Sequence, residues 1–219
     1  MARRSSTVAA TSYRPRAVNV YGGVDAQERR SQRRERLVEA AFTLFSEQGY
    51  ASTTIQQLAD TAGCALRTFY EEFGSREALI AELYDRVMAS VMERTLAAVQ
   101  SSEPRRSAMV RAGVDAHVAA FTANRAHTKV ALIEVVAVSA ALDKHRRETL
   151  KTFTERLVAI TESKAGRAEN PAAFNLMFLA LTGAAERLIT EWVLSKGRVS
   201  ADQIAQTLGA LWLTATKPM

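Results

Sequence analysis

One cysteine, four prolines and three histidines in 219 residues leave little material for disulfides, rigid turns or metal sites. The lone Cys64 excludes an internal disulfide framework and a cysteine-rich metal centre, fits a reducing compartment, and reads as a small apolar residue in a turn. His117, His127 and His145 lack metal-ligand spacing, so no metal is expected. There is no G-x-S-x-G, Walker loop or H-E-x-x-H, hence no catalytic constellation; neither an enzyme nor a cofactor is expected. Long apolar runs are also missing. The longest uncharged stretch, Asn170 to Ala185, has 16 residues, against the roughly 18 to 20 apolar residues that a membrane span needs. Thr7 to Ala10 is too short for the apolar core of a signal peptide. These absences point to a soluble, cytoplasmic chain without a membrane partner.

What the sequence does have is helical periodicity and a lopsided charge. Residues 1–36 hold nine Arg against Asp25, Glu28 and Glu35, which leaves 20 residues of each sign for the rest. The whole excess of positive charge lies at the amino end. Residues 1–27 are rich in Ser, Thr, Ala, Arg and Gly without a helical period, and are expected to form a disordered basic arm.

Nine helices and no strand are predicted. The first runs from about Ala26 to Gln48 on Leu37, Ala41, Leu44 and Phe45, and stops at Gly49. Ser75 caps a fourth helix that reaches about Ala98, and Pro104 marks a fifth start. Lys129 to Ala141, almost uninterrupted in its apolar character, is expected to be one buried helix. A seventh helix spans about Ala141 to Lys164 and ends at Gly166. Asn170-Pro171 opens the eighth, which stops near Gly197, and Ser200 with Gln203 forms a capping box for the last.

The central stretch is Thr53 to Arg76, TTIQQLADTAGCALRTFYEEFGSR. Thr53 and Gln56 have capping-box spacing ahead of Ile55, Leu58 and Ala59, which share one face. Gly63 can take the positive φ that ends this helix and turns the chain steeply. In the following helix Phe69 and Phe73 point inward, which leaves Leu66, Arg67, Thr68 and Tyr70 facing elsewhere. This is the layout of a helix-turn-helix.

The segment from about Arg33 to Leu83 resembles the DNA-binding domain of the TetR (tetracycline repressor) family of bacterial transcriptional regulators. The likeness rests on Ala41, Leu44, Phe45 and Gly49-Tyr50, on Thr53-Thr54-Ile55, Leu58-Ala59 and Ala62-Gly63, and on Thr68-Phe69-Tyr70, Phe73 and Ser75-Arg76-Glu77-x-Leu79. It implies an all-α chain: a helix-turn-helix domain at residues 28–76, followed by a larger helical domain at 77–219 that binds an effector and dimerises. By position in the motif, Thr54, Tyr70 and Arg76 match the family's phosphate contacts. Arg67, Leu66, Thr68 and Gln56 are the candidates for reading bases, since a guanidinium fork fits guanine and apolar groups fit thymine methyls. The implied partners are a double-stranded palindromic operator, a small, largely apolar effector, and a second copy of the chain, joined through the last two helices by Leu176, Leu179, Gly183, Leu188 and Trp192. His117, Phe121, Phe153, Met177 and Phe178 are candidates for the effector cavity, or for plain core packing.

Two departures from the family pattern stand out. Ala65 occupies the cap position of the reading helix and cannot accept a hydrogen bond. Residues 37–76 carry two Arg against five acids, so the arginines of the first helix and of the arm are expected to supply much of the attraction to DNA. Two alternatives stay open on sequence alone: a helical protein-interaction module without DNA binding, and a regulator with no natural effector.

Overall fold

The computed structural model describes residues 21–195 and 197–215. Among them it has nine α-helices and no strand: α1 Tyr21–Gln48, α2 Ile55–Thr61, α3 Leu66–Phe73, α4 Arg76–Ser101, α5 Arg106–Thr122, α6 Arg125–Lys129, α7 Ala140–Ala165, α8 Pro171–Leu194 and α9 Ala201–Ala215. Residues 21–27 already belong to α1, and residues 1–20 lie outside the described residues. The fifth helix begins beyond Pro104, at Arg106.

Helices α1 to α3 and the start of α4 form the head. Leu37, Phe45, Leu58, Phe69 and Leu79 are fully buried there, and the rings of Phe69 and Phe73 lie 6.0 Å apart. The cap of α2 falls one residue later than the sequence reading placed it. Thr54, not Thr53, accepts the N–H of Gln57, whose side chain in turn accepts the N–H of Thr54. Thr53 is buried instead, with its hydroxyl donating to the Gly49 carbonyl at 2.8 Å. Gly63 takes φ +61° between α2 and α3, as the turn requires.

The larger domain is built on α4, which packs against α5 and α7, while α9 closes over α5 and α8. Gly113 lets α5 approach α4 closely: a Cβ at this position would come within 2.9 Å of Val99 Cγ2. Cationic side chains close two helix ends. Lys164 Nζ donates to the Ser102 carbonyl at 2.6 Å beyond α4, and Arg125 Nη2 donates to the Val193 carbonyl at 2.6 Å near the end of α8. Both neutralise partial negative charge at helix carboxyl ends.

Lys129 to Ala141 is not one helix. The five-residue α6 runs into a π turn, Val130–Glu134, and the chain then leaves helical geometry until Ala140, with Ala137 at φ +61°. The π turn packs against α1 and α4. It buries Val130, Ala131 and Leu132, while Glu134 reaches back to the head, where its Oε2 accepts the Tyr50 N–H at 2.9 Å. Lys129 Nζ donates to the Ser46 carbonyl at 2.7 Å and lies 3.3 Å from Glu134. Gly49, at φ +89°, sits where a Cβ would come within 3.3 Å of Glu134 Oε2.

Candidate nucleic-acid interface and ligand cavity

Helix α3 is held from below by buried Phe69 and Phe73, which leaves Leu66, Arg67 and Tyr70 on its open side. Leu66 is 38% and Tyr70 51% exposed. Thr68 is half-buried. Arg67 Nε lies 2.7 Å from Glu71 Oε1, both side chains being in solvent, so the fork is pre-oriented but partly engaged. Thr54 and Gln56 are exposed at the start of α2. The Thr54 hydroxyl caps the helix, and Gln56 Nε2 donates to Asp60 Oδ1 at 2.8 Å.

Arg76 is placed differently from the other candidates. Its Nη1 donates to the Tyr50 carbonyl at 3.0 Å and to the Thr53 carbonyl, and its guanidinium stacks 4.4 Å over the Tyr50 ring. It is a strut from α4 to the α1–α2 loop, and a phosphate contact would have to use the remainder of its fork. Ala65 precedes α3 with no side-chain cap, as its methyl requires.

Three arginines of α1, expected with the arm to supply much of the attraction to DNA, also bind the head. Arg30 Nε binds Glu72 Oε1 at 2.9 Å, with the Glu72 side chain only 6% exposed. Arg34 donates to the Glu72 carbonyl at 3.0 Å, pairs with Glu82 and covers the Phe73 ring at 4.2 Å. Arg36 Nε donates to the Ala62 carbonyl at the end of α2 at 3.0 Å. Arg30 and Arg34 neutralise Glu72 and Glu82, and the three cations together tie α1 to α2, α3 and α4. Arg3, Arg4, Arg14 and Arg16 lie outside the described residues. Burial raises the Cys64 thiol pKa, which fits a packed apolar group in the turn.

The larger domain holds two adjoining chambers with cavity volumes of about 50 and 140 Å³. The first is walled by Val110, Leu157, Phe174, Phe178, Leu208 and Trp212 among others. The second is walled by Tyr84, Leu132, Arg146, Glu186 and neighbours, Phe121 included. His117, Phe153 and Thr182 line both and so form the partition. The His117 ring stacks on Phe153 at 5.7 Å. Burial pulls its pKa down to about 4, so it is neutral. Burial pushes the Tyr84 phenol up to about 12. Of the residues assigned to the cavity from sequence, His117, Phe121, Phe153 and Phe178 line it. Met177 does not: it packs, half-buried, outside both linings.

Sequence reading missed Arg146 and Glu134. The second left a trace, since Glu134 is the one charged residue between Val130 and Leu142.

On the outer side of α8 and α9, Leu176, Leu179, Leu194 and Leu211 are exposed, at 67% for Leu176. Gly183 lies on the same open side, whereas Leu188 and Trp192 are half-buried, the latter beneath the Arg125 guanidinium at 5.3 Å. By length and composition alone α8 could cross a membrane, although the sequence reading put this stretch below span length. Its inner side, with Phe174, Phe178, Leu181 and Ile189, belongs to the domain core.

The profile described as "Bacterial regulatory proteins, tetR family" matches residues 37–83. Over 54 residues the chain is 39% identical to the HTH-type transcriptional repressor KstR2 of Rhodococcus jostii, covering 25% of this chain and 26% of that protein. It thus spans about a quarter of the length of that relative. Over 188 residues it is 26% identical to the HTH-type transcriptional regulator EthR of Mycobacterium tuberculosis, covering 82% and 84% of the two chains. The solved structure of the transcriptional regulator FadR from Bacillus subtilis in complex with stearoyl-CoA has the same fold, with a TM-score of 0.72 at 18% identity over 83% of this chain and 98% of that one. Residues 37–83 thus match the tetR family of bacterial regulatory proteins, and the helical domain behind them shares its fold with a solved transcriptional regulator.

Proposed function

We propose that this chain is a sequence-specific DNA-binding transcriptional repressor that acts in the cytoplasm as a homodimer and leaves its palindromic operator when a small, largely apolar effector binds. The observation that carries the reading is the open side of α3, where Leu66, Arg67 and Tyr70 stand exposed on a helix anchored by buried Phe69 and Phe73. Arg67 reads a guanine after exchanging Glu71 for the base edge, Leu66 and Thr68 meet thymine methyls, and Gln56 adds a contact from α2. Thr54 and Tyr70 donate to phosphates, and Arg76 keeps the α1–α2 loop in register with α4. One short helix contacts too few bases for specificity. A dimer built on the exposed leucines of α8 and α9 doubles the contact on a palindrome.

Release is a shift between two dimer populations. Support for a route comes from the π turn, in which Leu132 walls a chamber while Glu134, two residues on, holds the Tyr50 N–H. An effector that displaces Leu132 loosens the grip on the exit of α1, and through Tyr50 and Arg76 the register of α2 and α3.

Fluorescence anisotropy with a duplex taken from upstream of the chain's own coding sequence tests the reading. Tight binding to that duplex, weak binding to a scrambled one, and loss of the difference in Arg67→Ala are expected. Equal affinity of the unmodified protein for both duplexes would refute it for that DNA.

A further inference from the structure

His117 of α5 stands in the partition between the two chambers, and its surroundings fix which ring nitrogen carries the proton. Thr95 donates its one hydroxyl proton to the Val91 carbonyl at 2.7 Å, so toward His117 Nδ1, at 3.4 Å, it can only accept. The proton of the neutral ring therefore sits on Nδ1, and Nε2 presents a lone pair. Among the described residues Nε2 has no hydrogen-bond partner, and unlike the unpartnered Nε of Arg146 it is not a sealed atom. The other polar groups of the linings are committed. Thr161 donates to the Leu157 carbonyl at 2.8 Å, and Thr182 to the Phe178 carbonyl at 2.9 Å. Arg106 donates to the Gly166 carbonyl at 3.2 Å and covers the Phe174 ring, while Arg146 pairs with Glu186 at 3.0 Å. The Tyr84 phenol bonds Thr149. The partition thus presents one unanswered polar group, and it is an acceptor.

We infer that the effector is a molecule with a single aromatic ring and an uncharged O–H or N–H donor, such as a phenol, whose ring occupies the second chamber and whose donor meets His117 Nε2. This rests on the reading of these chambers as the effector site. Size sets the ring. The second chamber, at about 140 Å³, comes close to the cavity of about 150 Å³ that takes one benzene, and the first, at about 50 Å³, is too small for a ring. Met88, Phe121, Leu132, Leu150 and Phe153 give the second chamber the apolar wall that a ring requires. Chemistry sets the substituent. An ether, ketone or carboxylate oxygen opposite Nε2 would put lone pair against lone pair, and a plain hydrocarbon would leave the nitrogen dry and unpaired. An ammonium would satisfy it only by burying a charge. Burial holds the ring neutral, with its pKa at about 4, so the acceptor persists at neutral pH. Leu132, in the same wall, belongs to the π turn that reaches the exit of α1, so the ring arrives where release begins.

Fluorine NMR titration of the full-length chain with para-fluorophenol, fluorobenzene and para-fluoroanisole tests this, because the three share one ring and only the first can donate. It should bind about five-fold tighter than either of the others. His117→Phe removes the acceptor while keeping a ring against Phe153, and should bring para-fluorophenol down to the level of fluorobenzene. His117→Leu, with a smaller side chain, guards against a variant that fills the chamber or fails to fold, and should do the same. Fluorobenzene or para-fluoroanisole binding as tightly as the phenol overturns the inference, as does failure of all three to bind, or a phenol preference that survives in a folded variant. Tighter binding of 2-naphthol than of para-fluorophenol, read by competition, would overturn the limit to one ring. Fluorescence anisotropy with the upstream duplex separates the inference from the reading on which it rests. Saturating para-fluorophenol should weaken duplex binding. A phenol preference that both variants abolish, without any change in duplex affinity, would uphold the ligand chemistry and count against the effector role. Release of the duplex by a compound of another class, with the three probes bound alike, would sink the inference and leave the effector role standing.

Discussion

In the head, Phe45, Phe69 and Phe73 meet their neighbours and close the space between four helices; in the larger domain, Phe153, Phe174, Phe178 and Trp212 stand around an open space. Both sets are buried to a similar degree. The head invests its rings in fixing the position of α3, and close-packed interiors transmit displacement because they do not deform continuously. The larger domain gives up dispersion contacts on one side of each ring, which makes it able to accept a guest and less able to resist one. Between them lies the π turn, with Leu132 on the chamber and Glu134 on the exit of α1.

The contrast predicts unequal costs for the same deletion. Phe69→Ala removes a ring with no accessible surface from the filled core and should cost about 3–5 kcal/mol. Phe153→Ala merges two existing chambers and should cost about half as much, because its contacts are already incomplete. Urea denaturation of the two variants measures both. Equal losses would mean that the chambers are collapsed in solution.

His117 is neutral in the fold with its pKa lowered to about 4, against 6.5 in the unfolded chain. Folding therefore excludes a proton that the unfolded chain binds. The stability is fully present above pH 6.5 and is lost as the pH falls toward 4, by up to about 3 kcal/mol. Water inside the chambers would reduce that figure. Thermal denaturation between pH 7 and pH 4 should show a steeper decline for the unmodified chain than for His117→Phe, and parallel curves would show that the ring is already solvated. The exposed side of α3 should behave in the opposite way. Arg67→Ala should change stability by no more than about 0.5 kcal/mol, since its pair with Glu71 is in solvent, yet cost about 1–3 kcal/mol in operator affinity. A large melting shift in that variant would mean that the ion pair is structural.

The sequence was informative wherever a rule acts within a few residues. The helix-turn-helix, the Ser75 and Asn170 caps and the Ser200–Gln203 box follow from local hydrogen bonding, and they lie where expected. It failed where a tertiary contact chose between local equals. Thr53-Thr54 and Gln56-Gln57 offer two capping boxes one residue apart, and the Gly49 carbonyl decides by engaging Thr53. The largely apolar run after Lys129 looked helical because periodicity cannot register a π turn, and because Glu134 finds its partner 84 residues away in sequence. Charge counting located the arginines of α1 without revealing that Arg30, Arg34 and Arg36 are occupied by the head itself. Met177 shares the α8 stripe of Phe174 and Phe178, and only the packing of the neighbouring helices shows that it misses the chamber.

The smallest expected effect concerns the start of α3, which has no side-chain cap. Ala65 has the extended backbone of an N-cap, φ −70° and ψ 147°, so a serine fits without rearrangement. Its carbonyl already accepts the Thr68 N–H at 2.9 Å, and a hydroxyl would add an acceptor for the free N–H groups of the first turn. Ala65→Ser should therefore stabilise the head by about 1 kcal/mol, read as a higher urea midpoint with an unchanged slope. Operator affinity should change less, because the rings beneath α3 already set its position. Tighter DNA binding by more than about five-fold would show instead that α3 is frayed in the free protein and orders on DNA, in which case the filled core of the head would hold its reading helix less firmly than its buried phenylalanines imply.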